Sequence, residues 1–116
     1  MGVRAEVVVT AEFVTWWGDL STPEQISVGA VIELLEEHGP ALGYPHSSQI
    51  AGSKKLRELR IQHRGDPYRV LYAFDPTRNA VLLLGGNKTG KDRWYEQNIP
   101  LAERIFLDYL SETGQK

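Results

Sequence analysis

Seven side chains in the second half of the chain have the types and spacing for chemistry on a phosphate: Arg60, Arg69, Lys88, Lys91, Arg93, Trp94 and Tyr95. Arg60 and Arg69 lie inside strand-like runs, Lys88 ends a third run, and the other four follow directly. A phosphodiester is cleaved without metal when cations stabilise the charge developing on the scissile phosphate. Another group must take the proton of the attacking 2′-hydroxyl. Arginines and lysines from neighbouring strands meet the first requirement, and an aromatic ring gives a displaced base a surface to stack on. Taken singly, each residue reads more simply as a solvated cation or a core aromatic. Their grouping on adjacent strands is what selects them.

The proton acceptor is less legible. Imidazole titrates near neutrality, which makes His63, just past the first of these strands, a candidate general base; it reads equally as an exposed histidine beside the Gly65-Asp66 turn. His38 ends a helical segment, where a cation complements the helix dipole, and His46 follows Pro45 in a loop. The histidines are not at metal-ligand spacings and there is no cysteine, so no metal site and no cofactor are expected. A glycine-rich run, Gly85-Gly86-Asn87-Lys88-Thr89-Gly90-Lys91, matches G-x-x-x-x-G-K after a strand. A phosphate-binding loop then needs Ser or Thr for magnesium, and Asp92 stands there instead. We read the glycines as ending the strand so that Lys88 and Lys91 project at its mouth.

Charge is unevenly spread along the chain. Residues 1–53 hold seven acidic side chains against Arg4 alone, and residues 54–93 hold ten basic against four acidic. The net charge of −2 hides this basic block, which suits a phosphate-rich partner. Lys54 and Lys55 open the block and join Arg60, Lys91 and Arg93 as candidate RNA-backbone contacts.

The positioning elements follow from pattern. Leu56–Ile61, Tyr68–Asp75 and Val81–Lys88 are three strand-like runs separated by Arg64-Gly65-Asp66-Pro67 and Asp75-Pro76-Thr77-Arg78-Asn79. Upstream, Arg4–Thr10 reads as a short strand and Ala11–Leu20 as a short helix. Thr22 as N-cap, Pro23 and Gln25 open a second helix that Gly39-Pro40 stops. Ala41–Ser53 reads as a loop, Gly90–Asn98 as irregular, and Pro100 as the start of a last helix. The expectation is one α+β domain over residues 1–116, β-α-α-β-β-β-α, with helices on one face of a small antiparallel-rich sheet. Lack of cysteine suits a reducing cytosol. No signal layout is seen, and no apolar run nears the roughly 20 residues of a membrane helix. A cytoplasmic protein without membrane contact is therefore expected.

Leu56-Arg57-Glu58-Leu59-Arg60, Tyr68-Arg69-Val70-Leu71-Tyr72-Ala73-Phe74-Asp75 and Leu82-Leu83-Leu84-Gly85-Gly86-Asn87-Lys88-Thr89, in this order and spacing, resemble a known family. It is the toxins of bacterial type II toxin–antitoxin systems in the RelE/ParE superfamily, in the HigB-like branch related to phage Gp49. The resemblance covers nearly the whole chain. It implies a RelE-like sheet carrying an RNA-cleaving surface, messenger RNA and the ribosome as targets, and a helix-turn-helix antitoxin as partner. By position, Arg69 resembles the arginine on the scissile phosphate, Lys88 or Lys91 a further catalytic cation, and Tyr95 the C-terminal tyrosine that stacks or acts as base. Members that rely on histidines have one near the first hairpin strand and another near the C-terminus; this chain has His63 and none after it. The ParE branch shares the fold but inhibits DNA gyrase without cutting RNA, and an inactive antitoxin-binding module is a third reading.

Overall fold

A computed structural model describes residues 4–91 and 93–115; Val3, just before the expected first strand, and Asp92, just after the glycine-lysine run, lie outside them. Five strands form one mixed sheet: β1 Val7–Val9, β2 Ser47–Gln49, β3 Arg57–His63, β4 Asp66–Phe74 and β5 Ala80–Asn87. Their spatial order is β1-β5-β4-β3-β2. β1 runs parallel to β5, and every other pairing is antiparallel. The expected α+β architecture is present. The three central strands fall where the strand-like runs and their breakers put them.

Turn chemistry sets the register of the central hairpins. His63 pairs with Asp66, which leaves Arg64 and Gly65 as a two-residue loop with φ of 51° and 83°. Positive φ at both positions is the requirement of the tight turn whose twist matches the strands. The β4–β5 turn is held by Asp75, whose Oδ1 accepts from the Thr77 and Asn79 N–H groups and the Thr77 hydroxyl.

The sheet is apolar on both faces, so both are covered. Tyr68, Val70 and Tyr72 of β4 face α1 (Ala11–Gly18) and α2 (Thr22–His38), whereas Leu71 and Ala73 face α3 (Trp94–Glu112). This corrects the expectation that the helices share one face. Strands buried on both sides read as continuous apolar runs rather than alternating ones, as Val81–Leu84 does. A bulge opposite Leu71 and Tyr72 turns both Leu83 and Leu84 toward α3. It also fixes which way the next two residues face.

Those residues are Gly85 and Gly86, and they do not end the strand. Both lie within β5, and each admits a tryptophan from an opposite side. A Cβ on Gly85 would sit 2.4 Å from Trp16 Cε3, and one on Gly86 would sit 2.6 Å from Trp94 Nε1. Close packing of indoles from α1 and α3, not a sharp strand end, is their physical role.

Other boundaries differ from expectation for identifiable reasons. Ser21, not Thr22, caps α2, and Glu24 closes a reciprocal capping box with it. Gly39-Pro40 does end that helix, in a short 3-10 turn over Gly39–Ala41. The Ala41–Ser53 loop contains β2, whose polar Ser47-Ser48-Gln49 has no strand pattern and pairs because β3 offers a free edge. α3 begins at Trp94, so Pro100 lies inside it. Burial of Trp94 against the sheet starts the helix early and outweighs the hydrogen bond and steric fit that an internal proline forfeits. No described helix is long and apolar enough to cross a membrane.

Candidate functional site

One carboxylate organises the α3 face of the sheet. On β3 the odd residues Leu59 and Ile61 enter the core beneath α2, so the even residues Glu58 and Arg60 point to the other side. Glu58 is 5% exposed. Its Oε2 accepts from Ser48 Oγ at 2.8 Å and from Arg60 Nη1 at 3.1 Å; its Oε1 accepts from the Tyr95 hydroxyl at 2.5 Å and lies 3.4 Å from Arg69 Nε. Burying such a charge is tolerable only when it is paired and hydrogen-bonded. Here both oxygens are occupied from four elements.

Arg69 is directly opposite Arg60 in the β3–β4 register and opposite Gly86 on β5. Two guanidinium groups side by side would repel; Glu58 between them removes that conflict. Arg69 is itself buried, donating from Nη1 to the Tyr68 carbonyl at 3.0 Å and from Nε to the Tyr95 hydroxyl at 3.3 Å. Arg60 retains 30% side-chain exposure and stacks its guanidinium 5.3 Å from the Tyr44 ring centroid. Lys88, half-buried after β5, places Nζ 5.1 Å over the Tyr95 ring, a cation–π arrangement. Burial, and then the bond to Glu58, push the Tyr95 phenol above its ordinary value, against a smaller opposing pull from Arg69. A hollow of about 350 Å³ opens beside the cluster, lined by Gln49, Ile50, Ala51, Glu58, Tyr95 and Ile99.

The structure thus brings Arg60, Arg69, Lys88 and Tyr95 together. It does not bring in the others. His63 lies on the α2 side, its Nδ1 2.7 Å from Ser27 Oγ and its ring edge-on to Tyr68. Lys91 and Arg93 are exposed beyond the cluster, and Arg93 pairs with Glu96 at 3.3 Å. Lys54 and Lys55 line a separate hollow beside Phe106, far along α3 from Tyr95. Among the described residues no group of His, Asp and Glu is arranged to hold a metal ion. Sequence reasoning missed Glu58 as the hub. The signal was available: an acid two residues before Arg60 on one strand shares its face.

The face of the sheet beneath the last helix thus carries Arg60, Arg69, Lys88 and Tyr95 around Glu58. The model of the phage derived protein Gp49-like family matches residues 15–107. The chain is 41% identical over 101 residues to the candidate toxin HigB2 of Mycobacterium tuberculosis (strain ATCC 25618 / H37Rv), covering 84% of this chain and 50% of that protein. It is 38% identical over 110 residues to the candidate toxin HigB3 of the same organism, covering 93% of this chain and 96% of that one. The chain spans about half the length of the first relative and nearly all of the second. It belongs to the Gp49-like family, with HigB-like proteins as relatives, as the order and spacing of its strand motifs implied.

Proposed function

We propose that this protein is the toxin of a toxin–antitoxin pair and a metal-independent endoribonuclease that cuts messenger RNA on the ribosome. The observation that carries the reading is the convergence of Arg60, Arg69, Lys88 and the Tyr95 hydroxyl around Glu58, beside an open hollow. The names of its relatives support the toxin part.

In this reading Arg60 and Lys88, the more accessible cations, receive the phosphate. Arg69 beneath them supplies positive charge as the pentacoordinate phosphate forms. Tyr95 acts as a neutral phenol that stacks or donates a hydrogen bond, because its raised pKa disfavours a phenolate at neutral pH. In this reading Glu58, with both oxygens held by Ser48, Arg60, Tyr95 and Arg69, orients the cations and the phenol beside the hollow. His63 on the opposite face serves the fold instead.

The test is a translating extract with end-labelled message, comparing wild type with Lys88→Gln and Tyr95→Phe. Cuts in the message that fall at least tenfold in Lys88→Gln are expected, given the roughly 10²–10³-fold worth of one charge stabiliser. An intact message, with loss of supercoiling in a parallel gyrase reaction, overturns the nuclease in favour of gyrase inhibition. An intact message with active gyrase favours an antitoxin-binding module.

A further inference from the structure

Two cation–aromatic pairs flank Glu58, one at each carboxylate oxygen. At Oε1, Tyr95 bonds through its hydroxyl and has Lys88 Nζ 5.1 Å from its ring centroid. At Oε2, Arg60 bonds through Nη1, and its guanidinium carbon lies 5.3 Å from the Tyr44 ring centroid. Each pair joins a charge suited to phosphate with a ring suited to a base. The two rings differ in what already occupies them. Tyr95 is half-buried, with Lys88 over its ring, Trp94 edge-on at 5.3 Å and its hydroxyl engaged. Tyr44 is 77% exposed, and among the described residues no other phenylalanine, tyrosine or tryptophan is exposed.

A single exposed ring is ordinary on a protein surface. What singles out Tyr44 is how firmly it is held beside the cluster. The Gly43 carbonyl accepts from the His46 and Ser47 N–H groups, each at 3.1 Å, and closes a turn around Tyr44-Pro45. The His46 carbonyl accepts in turn from the Arg60 N–H at 2.8 Å. The turn is therefore pinned to β3 at the very residue whose side chain meets the ring. Arg60 is itself held by Glu58 at 3.1 Å. With the guanidinium over one face, the ring's opposite face is left to solvent. A ring fixed in this way loses little freedom when a ligand lands on it.

We propose that Tyr44 is a base-stacking residue of the Glu58 site: a nucleotide of single-stranded RNA whose phosphate lies on Arg60 stacks its base on the open face of Tyr44. An unpaired base offers that surface, and a base inside a duplex does not. Stacking tolerates any base, so Tyr44 holds the strand in place without selecting its sequence. The assignment rests on the nuclease reading for its purpose, and its binding is measurable apart from cleavage.

The experiment uses the full chain and a fluorescein-labelled, 2′-O-methylated single-stranded RNA, which cannot be cut, read by anisotropy across a salt series. Tyr44→Leu should weaken binding roughly fivefold or more. The slope of log affinity against log salt should stay unchanged, since no charge is removed. Tyr44→Phe and Tyr44→Trp, which keep a ring, should bind within about twofold of wild type. The same RNA as a duplex should bind Tyr44→Leu and wild type alike. Unchanged single-strand affinity in Tyr44→Leu, or a loss that Tyr44→Phe shares, overturns the assignment. So does an equal loss on the duplex, or no RNA binding by the wild type. A lowered unfolding temperature in Tyr44→Leu gives the ring to the fold and overturns it too. Cleavage in the translating extract with ring-independent binding removes the stacking role and leaves the nuclease standing. Ring-dependent binding without cleavage does the reverse.

Discussion

Removal of Glu58 is the most informative change to the fold, because the consequence depends on which partner is left behind. The side chains of Glu58 and Arg69 are 7% and 6% exposed and 3.4 Å apart. In Glu58→Ala, Arg69 keeps only the Tyr68 carbonyl and the Tyr95 oxygen as partners. A buried charge stranded in this way typically costs about 3–5 kcal/mol. For a chain of 116 residues each kcal/mol corresponds to about 4 °C in melting temperature, so a drop of roughly 12–20 °C is expected. Arg60 adds little, since at 30% side-chain exposure water replaces its lost partner. Replacing both members, Glu58→Leu with Arg69→Leu, should recover more than half of the loss, because a buried pair exchanged for apolar volume is often neutral or better. Thermal unfolding followed by far-ultraviolet circular dichroism on the wild type, Glu58→Leu, Arg69→Leu and the double leucine variant closes the cycle, with Glu58→Ala measured beside it. A loss below about 1 kcal/mol in Glu58→Ala, or a double variant no more stable than the sum of the singles, refutes the idea that Glu58 holds a buried charge in place.

Three further outcomes test other parts of the account. Gly86→Ala should displace the Trp94 indole, since the new Cβ would meet Nε1 at 2.6 Å; a loss of about 1–3 kcal/mol and a shifted tryptophan emission are expected, and wild-type stability with unchanged emission contradicts it. Burial raises the Asp75 carboxyl, but hydrogen bonds from Asn79, Tyr109, Thr77 and Gln115 outweigh that and hold it at about 2. A folded pKa depressed from 3.8 gives stability that is present above the unfolded value and lost as pH falls toward 2. Asp75→Asn should therefore be less stable than wild type by roughly 2 kcal/mol at neutral pH, with the gap narrowing below about pH 4 in urea unfolding; a gap independent of pH counts against it. Tyr95→Phe should keep the fold, leave Glu58 bonded to Ser48 and Arg60, and lower message cleavage several-fold; full activity removes the phenol from the mechanism.

How much of this was readable from sequence depended on whether a feature was local. The central hairpins were legible because Arg64-Gly65 and Asp75–Asn79 are turn chemistry that acts within a few residues. The α2 helix was legible for the same reason, save that the cap lies at Ser21, one position earlier than the Thr22 reading. β2 and the start of α3 were not legible. Ser47–Gln49 has no strand propensity, and Trp94 starts a helix because it packs on Gly86, a contact the sequence does not display. Within the site, grouping Arg60, Arg69, Lys88 and Tyr95 followed from strand order, and the structure brings all four together. Their common partner escaped because acids on a basic block read as solvated counter-charges. His63 was placed by its neighbours in sequence, whereas its face is set by the period-two alternation that sends Leu59 and Ile61 under α2.

The central claim is that this cluster cuts translated messages. Its most direct test is induced expression in bacteria, wild type beside Arg69→Ala and Lys88→Gln, with primer extension on abundant messages and soluble folded protein verified for each. The account predicts growth arrest with new ends inside codons for the wild type, and ends reduced by at least roughly tenfold in both variants. Arrest with intact messages, or cleavage that persists unchanged in Lys88→Gln, would contradict it.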